Sequence, residues 1–208
     1  MFYLTKKIEF PDVSLATKDG LLAVGGDLSI ERLVLAYKSG IFPWYEEGEP
    51  LLWWSPDPRF VLFPEKLKVS KSMRSVLNNC NYRVTVNKAF KEVINACAEV
   101  KRTGQQGTWI TDEMIKAYIK LHELGYAKSV EVWEQDELVA GFYGIEINEN
   151  VFCGESMFTK KSNASKAGFI TFVQNTSYQL IDCQIHTTHL ESLGAEDIPR
   201  EDFLKYLG

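Results

Sequence analysis

The chain has 208 residues, 45% of them hydrophobic, and a formal net charge of −5. That is enough apolar material for a packed core in one large domain, or in one domain carrying a smaller one. The acid excess excludes a general nucleic-acid coat, no run of roughly 18 apolar residues exists to span a membrane, and the start MFYLTKKIEF lacks the apolar stretch of a secretory leader.

The first third is rich in Gly, Pro and Trp. Within it, Asp27 or Ser29 caps a predicted short helix carrying Leu33, Leu35 and Tyr37, closed by Gly40. GIFPWY and WWSPDPR follow, combining breakers with large aromatics, so this part is expected to dock on the rest of the chain. Trp53 and Trp54 suit a core. From about residue 80 the pattern turns regular. YRVTVN alternates as a strand over 82–87. Apolar residues at helical spacing predict helices over 88–102 and 111–124, the second ended by Gly125. Strands are expected at 128–134, 137–147 and 150–158, joined by hairpin turns at Gln135-Asp136 and Asn148-Glu149. A crossover helix over 163–178 leads to a last strand, LIDCQIH, at 180–186. The implied fold is α+β: an opening strand and a closing βαβ unit flank an antiparallel meander.

Several residues stand out chemically. In VFCGESMF, Glu155 interrupts an apolar strand. Either it points to solvent from an edge strand, or the strand lines a pocket and Glu155 meets a cationic part of a ligand, since a buried carboxylate without a partner is costly. Asp182 and Gln184 stand two apart on the last strand, which places them on one face. They serve either a structural hydrogen bond or a ligand. Lys66, Lys68, Lys71, Arg74 and Arg83 fall in a stretch without Asp or Glu, a pattern that fits a local polyanion contact or a solvated face. Trp44 and Trp109 sit in breaker-rich segments where a ring can stack on a nucleobase.

The cysteines, Cys80, Cys97, Cys153 and Cys183, form no C-x-x-C. That argues against a zinc site and for free thiols in a reducing cytoplasm. His186 and His189 lack further ligands at metal spacing, His122 being the only other histidine, so no metal is expected. No phosphate-cradling glycine motif is present, and the nearest candidate, RTGQQG at 102–107, precedes the wrong helix for an acyl-coenzyme A site.

The motifs GLLAVGGDLS, SGIFPWY, LLWWSPDPRF, GTWIT, LHELGYAKSVEVW, ELVAGFYG, FCGESMF, NASKA, LIDCQIHTTHLESLGA and IPR, in this order from about residue 20 to 206, resemble the leucyl/phenylalanyl-tRNA–protein transferases. The resemblance implies a small N-terminal domain, drawn at 1–62, docked on a GNAT-like domain at 63–208 with a mixed, mainly antiparallel sheet. It implies transfer of leucine or phenylalanine from aminoacyl-tRNA to proteins with N-terminal Lys or Arg, which marks them for N-degron degradation. It also implies a soluble cytoplasmic enzyme without cofactor, metal or membrane partner. Asp182 and Gln184 match the family's catalytic pair. Trp44 and Trp109 would stack on the tRNA 3′ adenosine. Phe142, Phe152, Met157, Phe169 and Ile181 would form the aminoacyl pocket, and Glu155 would hold the donor end or the cationic acceptor. The basic residues 66–83 would then meet the tRNA backbone. Family members often carry Met and Leu at Phe142 and Phe169, which leaves the donor preference open. An acetyl-coenzyme A acyltransferase of the same fold is disfavoured by the missing glycine loop. A binding module for RNA or basic N-termini leaves Asp182 and Gln184 without a chemical task.

Overall fold

The structure, a computed structural model, describes residues 2–79, 81–100 and 110–208. Its organisation follows from strands that are apolar on both faces, which must be covered on both sides. On the long strand of residues 137–147, Tyr143, Ile145 and Ile147 enter one buried cluster and Phe142 another. On the neighbouring strand of residues 151–159, Val151 and Cys153 join the first cluster while Phe152 joins the second. Two apolar layers, one on each face, therefore sandwich a single sheet.

In chain order the strands are β1 (Phe2–Leu4), β2 (Leu21–Gly25), β3 (Phe42–Pro43), β4 (Leu52–Trp54), β5 (Arg59–Leu62), β6 (Tyr82–Val86), β7 (Ala127–Glu134), β8 (Glu137–Ile147), β9 (Val151–Thr159), β10 (Leu180–Gln184) and β11 (Glu196–Ile198). The helices are α1 (Ile30–Lys38), α2 (Lys71–Asn79), α3 (Phe90–Ala98), α4 (Asp112–Glu123), α5 (Ala164–Gln174), α6 (Thr188–Glu191) and α7 (Arg200–Leu204). A four-stranded sheet runs β1-β2-β4-β3, and a seven-stranded sheet runs β11-β5-β10-β9-β8-β7-β6. In the larger sheet, β9 and β10 form the one parallel pair among the described strands. This is the α+β fold with a mixed, mainly antiparallel sheet that the sequence implied.

The two hairpin turns form where expected, with Gln135, Asn148 and Glu149 in the left-handed region that such tight turns require. The crossover helix ends four residues early, at Gln174, and the last strand ends at Gln184, not residue 186. The N-terminal part docks on the rest of the chain as expected, and two features were not anticipated. α2 has only Met73 fully buried, so its apolar stripe is thin. β5 and β11 extend the larger sheet from segments dominated by Pro and charge. The strand just before residue 62 thus pairs within the larger sheet. Helix α1, β2 and Trp53 share one core with α3, α4 and β8, so the N-terminal part docks through continuous apolar packing. No helix among the described residues is long and apolar enough to cross a membrane.

Candidate functional site

The site forms where β9 and β10 part. They pair in parallel at Leu180↔Val151, Ile181↔Phe152 and Asp182↔Cys153, and no further. Each strand carries an irregularity just past that point. On β9, Tyr143 faces Ser156 and Gly144 faces Gly154, so Glu155 is the extra residue of a bulge. On β10, Val61 faces Asp182 and Phe60 faces Gln184, so Cys183 is the extra residue of a second bulge. Bulges re-aim side chains and stop pairing. Here they turn Glu155 and Gln184 toward each other across the split, and Gln184 Nε2 donates to Glu155 Oε1 at 2.8 Å.

The expectation that Asp182 and Gln184 share a face by simple strand alternation is therefore corrected. Gln184 has a φ of 62°, in the left-handed region, and its backbone N–H folds back to donate to Asp182 Oδ1 at 2.9 Å. Asp182 is fully buried. Both its oxygens are held by the guanidinium of Arg59 on β5, from Nε to Oδ1 at 2.8 Å and from the second terminal nitrogen to Oδ2 at 2.7 Å. Arg59 is itself 1% exposed, its guanidinium lies 4.8 Å from the Phe42 ring centroid and 4.6 Å from that of Phe203, and it also donates to the Gly40 carbonyl at 3.2 Å. A two-pronged, enclosed pair of this kind fixes geometry more than it attracts charge. Asp182 is thus the anchor for the turn of backbone that presents Gln184.

Glu155 is partly buried and does not face solvent from an edge, because β9 lies in the interior of the sheet. Besides Gln184, its carboxylate accepts from the Tyr118 hydroxyl on α4 at 3.2 Å, and Tyr118 shares a hydrogen bond with Tyr37 on α1. Burial pushes the Glu155 carboxyl up to about 7, against the hydrogen bonds from Tyr37, Gln184 and Tyr118 that favour the ionised form. Burial, followed by the charge of Glu155, holds both tyrosine hydroxyls well above their ordinary range, so they stay donors.

These groups stand on the wall of a pocket of about 410 Å³. The same pocket is lined by Trp44, Phe142, Phe152, Met157, Phe169, Ile181, Asp182 and Gln184, so the structure brings together every described residue proposed for substrate binding or catalysis. Phe142 packs against Phe152, Phe169 and Phe172 with ring centroids 5.4 to 6.2 Å apart, giving one apolar wall. Trp44 is 36% exposed at the mouth, with its ring 5.7 Å from that of Trp54. Trp53 is fully buried and Trp54 partly so. Trp109 lies outside the described residues. His189 also lines the pocket from α6, its imidazole held below the ordinary range by burial and by Lys166. His186 instead pairs with Glu191 at 3.2 Å on the surface. Among the described residues no group of three His, Cys, Asp or Glu is placed to hold a metal.

The basic residues form no part of this pocket. Lys66, Lys68, Lys71, Arg74 and Arg83 are all exposed. Lys66 bonds to Glu196, and the Arg83 guanidinium covers the Trp133 ring at 5.4 Å, while Lys68, Lys71 and Arg74 cluster just before and on α2. Sequence reasoning missed Arg59, Tyr37 and Tyr118. The one signal for Arg59 was indirect: a carboxylate on the apolar strand LIDCQ needs a buried partner. The tyrosines left none, being aromatic residues at ordinary helical core spacing.

Known proteins match this chain along its whole length. The sequence model of the Leucyl/phenylalanyl-tRNA protein transferase family matches residues 61–208, and that of the family's N-terminal domain matches residues 26–57. A leucyl/phenylalanyl-tRNA–protein transferase of Christiangramia forsetii is 59% identical over 211 residues, covering 100% of both chains. One from Flavobacterium psychrophilum is 58% identical over 210 residues, covering 100% of this chain and 99% of its own. Among solved structures, a GCN5-related N-acetyltransferase from Kribbella flavida matches with a TM-score of 0.38 and 12% identity over 84% of this chain and 63% of its own, too distant to carry an argument.

Proposed function

The chain belongs to the leucyl/phenylalanyl-tRNA protein transferase family, and on that premise we propose how its pocket moves leucine or phenylalanine from aminoacyl-tRNA to the α-amino group of an acceptor protein. The observation that carries the reading is the pocket itself, an aromatic wall ending at the Glu155–Gln184 pair on the split between β9 and β10. The donor's apolar side chain lies against Phe142, Phe152, Phe169, Met157 and Ile181. Its terminal adenine stacks on Trp44. The ester then sits beside Gln184, and the acceptor amine approaches Glu155.

The chemistry needs little more than placement. The amine nitrogen attacks the ester carbonyl carbon. The new C–N bond forms, the C–O bond to the tRNA ribose breaks, and the amine's proton ends on the released ribose oxygen. An α-amino group has a pKa of about 7.7–8, so a useful fraction is neutral at pH 7. Holding it about 3–3.5 Å from the carbonyl supplies much of the acceleration. The Gln184 amide, fixed by Asp182 through the backbone, orients the reactants. Glu155, titrating near neutrality, is suited to hold an amine proton in passing.

Acceptors with N-terminal Lys or Arg fit a pocket that holds the Glu155 carboxyl, because their positive charge would favour its ionised form against the burial that opposes it. The exposed cluster of Lys68, Lys71 and Arg74 supplies a contact for the tRNA backbone. The free thiols Cys153 and Cys183 suit work in the cytoplasm, where the transfer would mark its acceptor proteins for degradation.

Mixing the protein with labelled leucyl-tRNA and a peptide beginning with Arg tests the proposal. Label in the peptide, weakened when the first residue is Ala, is the expected result. Labelling from acetyl-coenzyme A alone, or binding without turnover, overturns it.

A further inference from the structure

The buried polar groups beneath the pocket form a single chain. From Arg59 it passes to Asp182, to the backbone of Gln184, through the Gln184 amide to Glu155, then to Tyr118 and Tyr37. Its two ends return to the same place. Tyr37 is in the last turn of α1, and Gly40, whose carbonyl accepts from Arg59, ends the turn that follows. One end of one helix in the N-terminal part thus grips the reactive pair from both sides.

The grip is built tightly. Tyr37 is 2% exposed and Tyr118 0%. Gly40 has a φ of 72°, and a Cβ there would come within 2.7 Å of Leu204, so this turn is held by α7 as well. Arg59 is sandwiched between Phe42 just after the turn and Phe203 on α7. An apolar helix end would dock equally well without a hydroxyl reaching Tyr118 or a carbonyl aimed at Arg59. Both are polar groups that require partners once buried, and both find them in the chain that ends at Glu155 and Gln184.

We propose that the C-terminal end of α1 is part of the reaction's machinery, with Tyr37 and Arg59 as positioning residues that set the orientation of Glu155 and Gln184. This rests on the transfer activity proposed above. Tyr37 acts on the Glu155 carboxylate both directly and through Tyr118, and Arg59 acts through Asp182 on the Gln184 backbone. The groups facing Glu155 are Tyr37 from α1, Tyr118 from α4, Asp182 and Gln184 from β10, Cys153 from its own strand, and the more distant charge of Arg59 from β5. Of these, the tyrosine hydroxyls and the Gln184 amide donate to its ionised form. Removing one of these donors disfavours that form.

The test is single-turnover transfer from saturating leucyl-tRNA to an Arg-starting peptide, followed from pH 5.5 to 8.5. It compares wild type, Tyr37→Phe, Arg59→Lys and the packing control Leu33→Val in the same helix. Tyr37→Phe is expected to slow transfer by about tenfold or more. The acidic limb of its rate profile moves to higher pH, and the Michaelis constants for tRNA and peptide stay unchanged. Leu33→Val lowers the melting temperature without moving that limb. Arg59→Lys, if folded, slows transfer without moving the limb, because it acts through Gln184. Tyr37→Phe matching wild type in rate and pH profile overturns the inference, as does a slowing that Leu33→Val reproduces at equal loss of stability. A wild type that transfers nothing removes the functional reading itself, an outcome distinguishable from either.

Discussion

The two sides of strand β9 follow different rules. Toward β8 it pairs over nearly its whole length, from Ile147↔Val151 to Ala140↔Thr159, interrupted only around Gly144. Toward β10 it pairs at three positions and then separates. The first side is a ladder whose stability is spread over many residue pairs. The second opens into a pocket and concentrates its polar groups in one buried chain. Glu155 belongs to both, since the bulge that interrupts the ladder aims it into the split.

The largest expected effect separates the two sides by stability. Asp182→Asn leaves Arg59 as a buried charge without its counter-ion and should cost roughly 3–5 kcal/mol, read from urea unfolding. A loss well below 1 kcal/mol would mean that the pair is not the enclosed anchor described. On the ladder side, Gly144→Ala places a Cβ 2.3 Å from the Cys153 carbonyl oxygen and 2.5 Å from the Phe152 ring. It should cost about 1–3 kcal/mol by overpacking. Because Cys153 and Phe152 adjoin the split, measuring its transfer rate well below its melting temperature shows whether ladder and pocket are coupled.

A smaller effect isolates the residue common to both. The folded Glu155 carboxyl, at about 7, lies above its ordinary value of 4.5. Between those values the native state holds more protons than the unfolded chain. Its contribution to stability is therefore lost as pH rises from about 4.5 to 7, by at most about 3 kcal/mol. Glu155→Gln should flatten the stability curve in that window. An unchanged curve would show that the carboxyl is not held above its ordinary range. Phe169→Leu enlarges the apolar wall and should shift the donor preference toward phenylalanine, by at most roughly 10–200-fold. Equal slowing with both donors would take residue 169 off the pocket wall. Smallest at any one residue, neutralising Lys68, Lys71 and Arg74 together should flatten the salt dependence of tRNA binding by about 0.7–0.9 in log–log slope for each tRNA phosphate they neutralise in the wild type. An unaltered slope would place the tRNA elsewhere.

The same division explains what the sequence disclosed. The ladder was legible because its hairpins are local: Gln135-Asp136 and Asn148-Glu149 sit between alternating runs, and each turn conformation follows from its own residues. The candidate site residues Glu155, Asp182 and Gln184 stood out as polar groups in apolar strands, and the family's motifs supplied their company. What stayed hidden was non-local. Arg59 meets Asp182 across 123 positions and Tyr37 meets Tyr118 across 81. Nothing in SPDPRF or VLAYK reports such a partner. The bulges were hidden for a related reason. A break in strand alternation at Cys183 or Glu155 leaves no mark in an apolar run, and only the ladder partner shows which residue is extra.

The most direct test of the claim that the split between β9 and β10 carries the chemistry is the single-turnover rate of leucine transfer to an Arg-starting peptide in Glu155→Gln, at saturating leucyl-tRNA and pH 7.5. The predicted result is a rate at least about tenfold below wild type, with leucyl-tRNA binding preserved and a melting temperature equal to or above that of wild type at this pH. Full transfer activity with unchanged Michaelis constants for tRNA and peptide would contradict it.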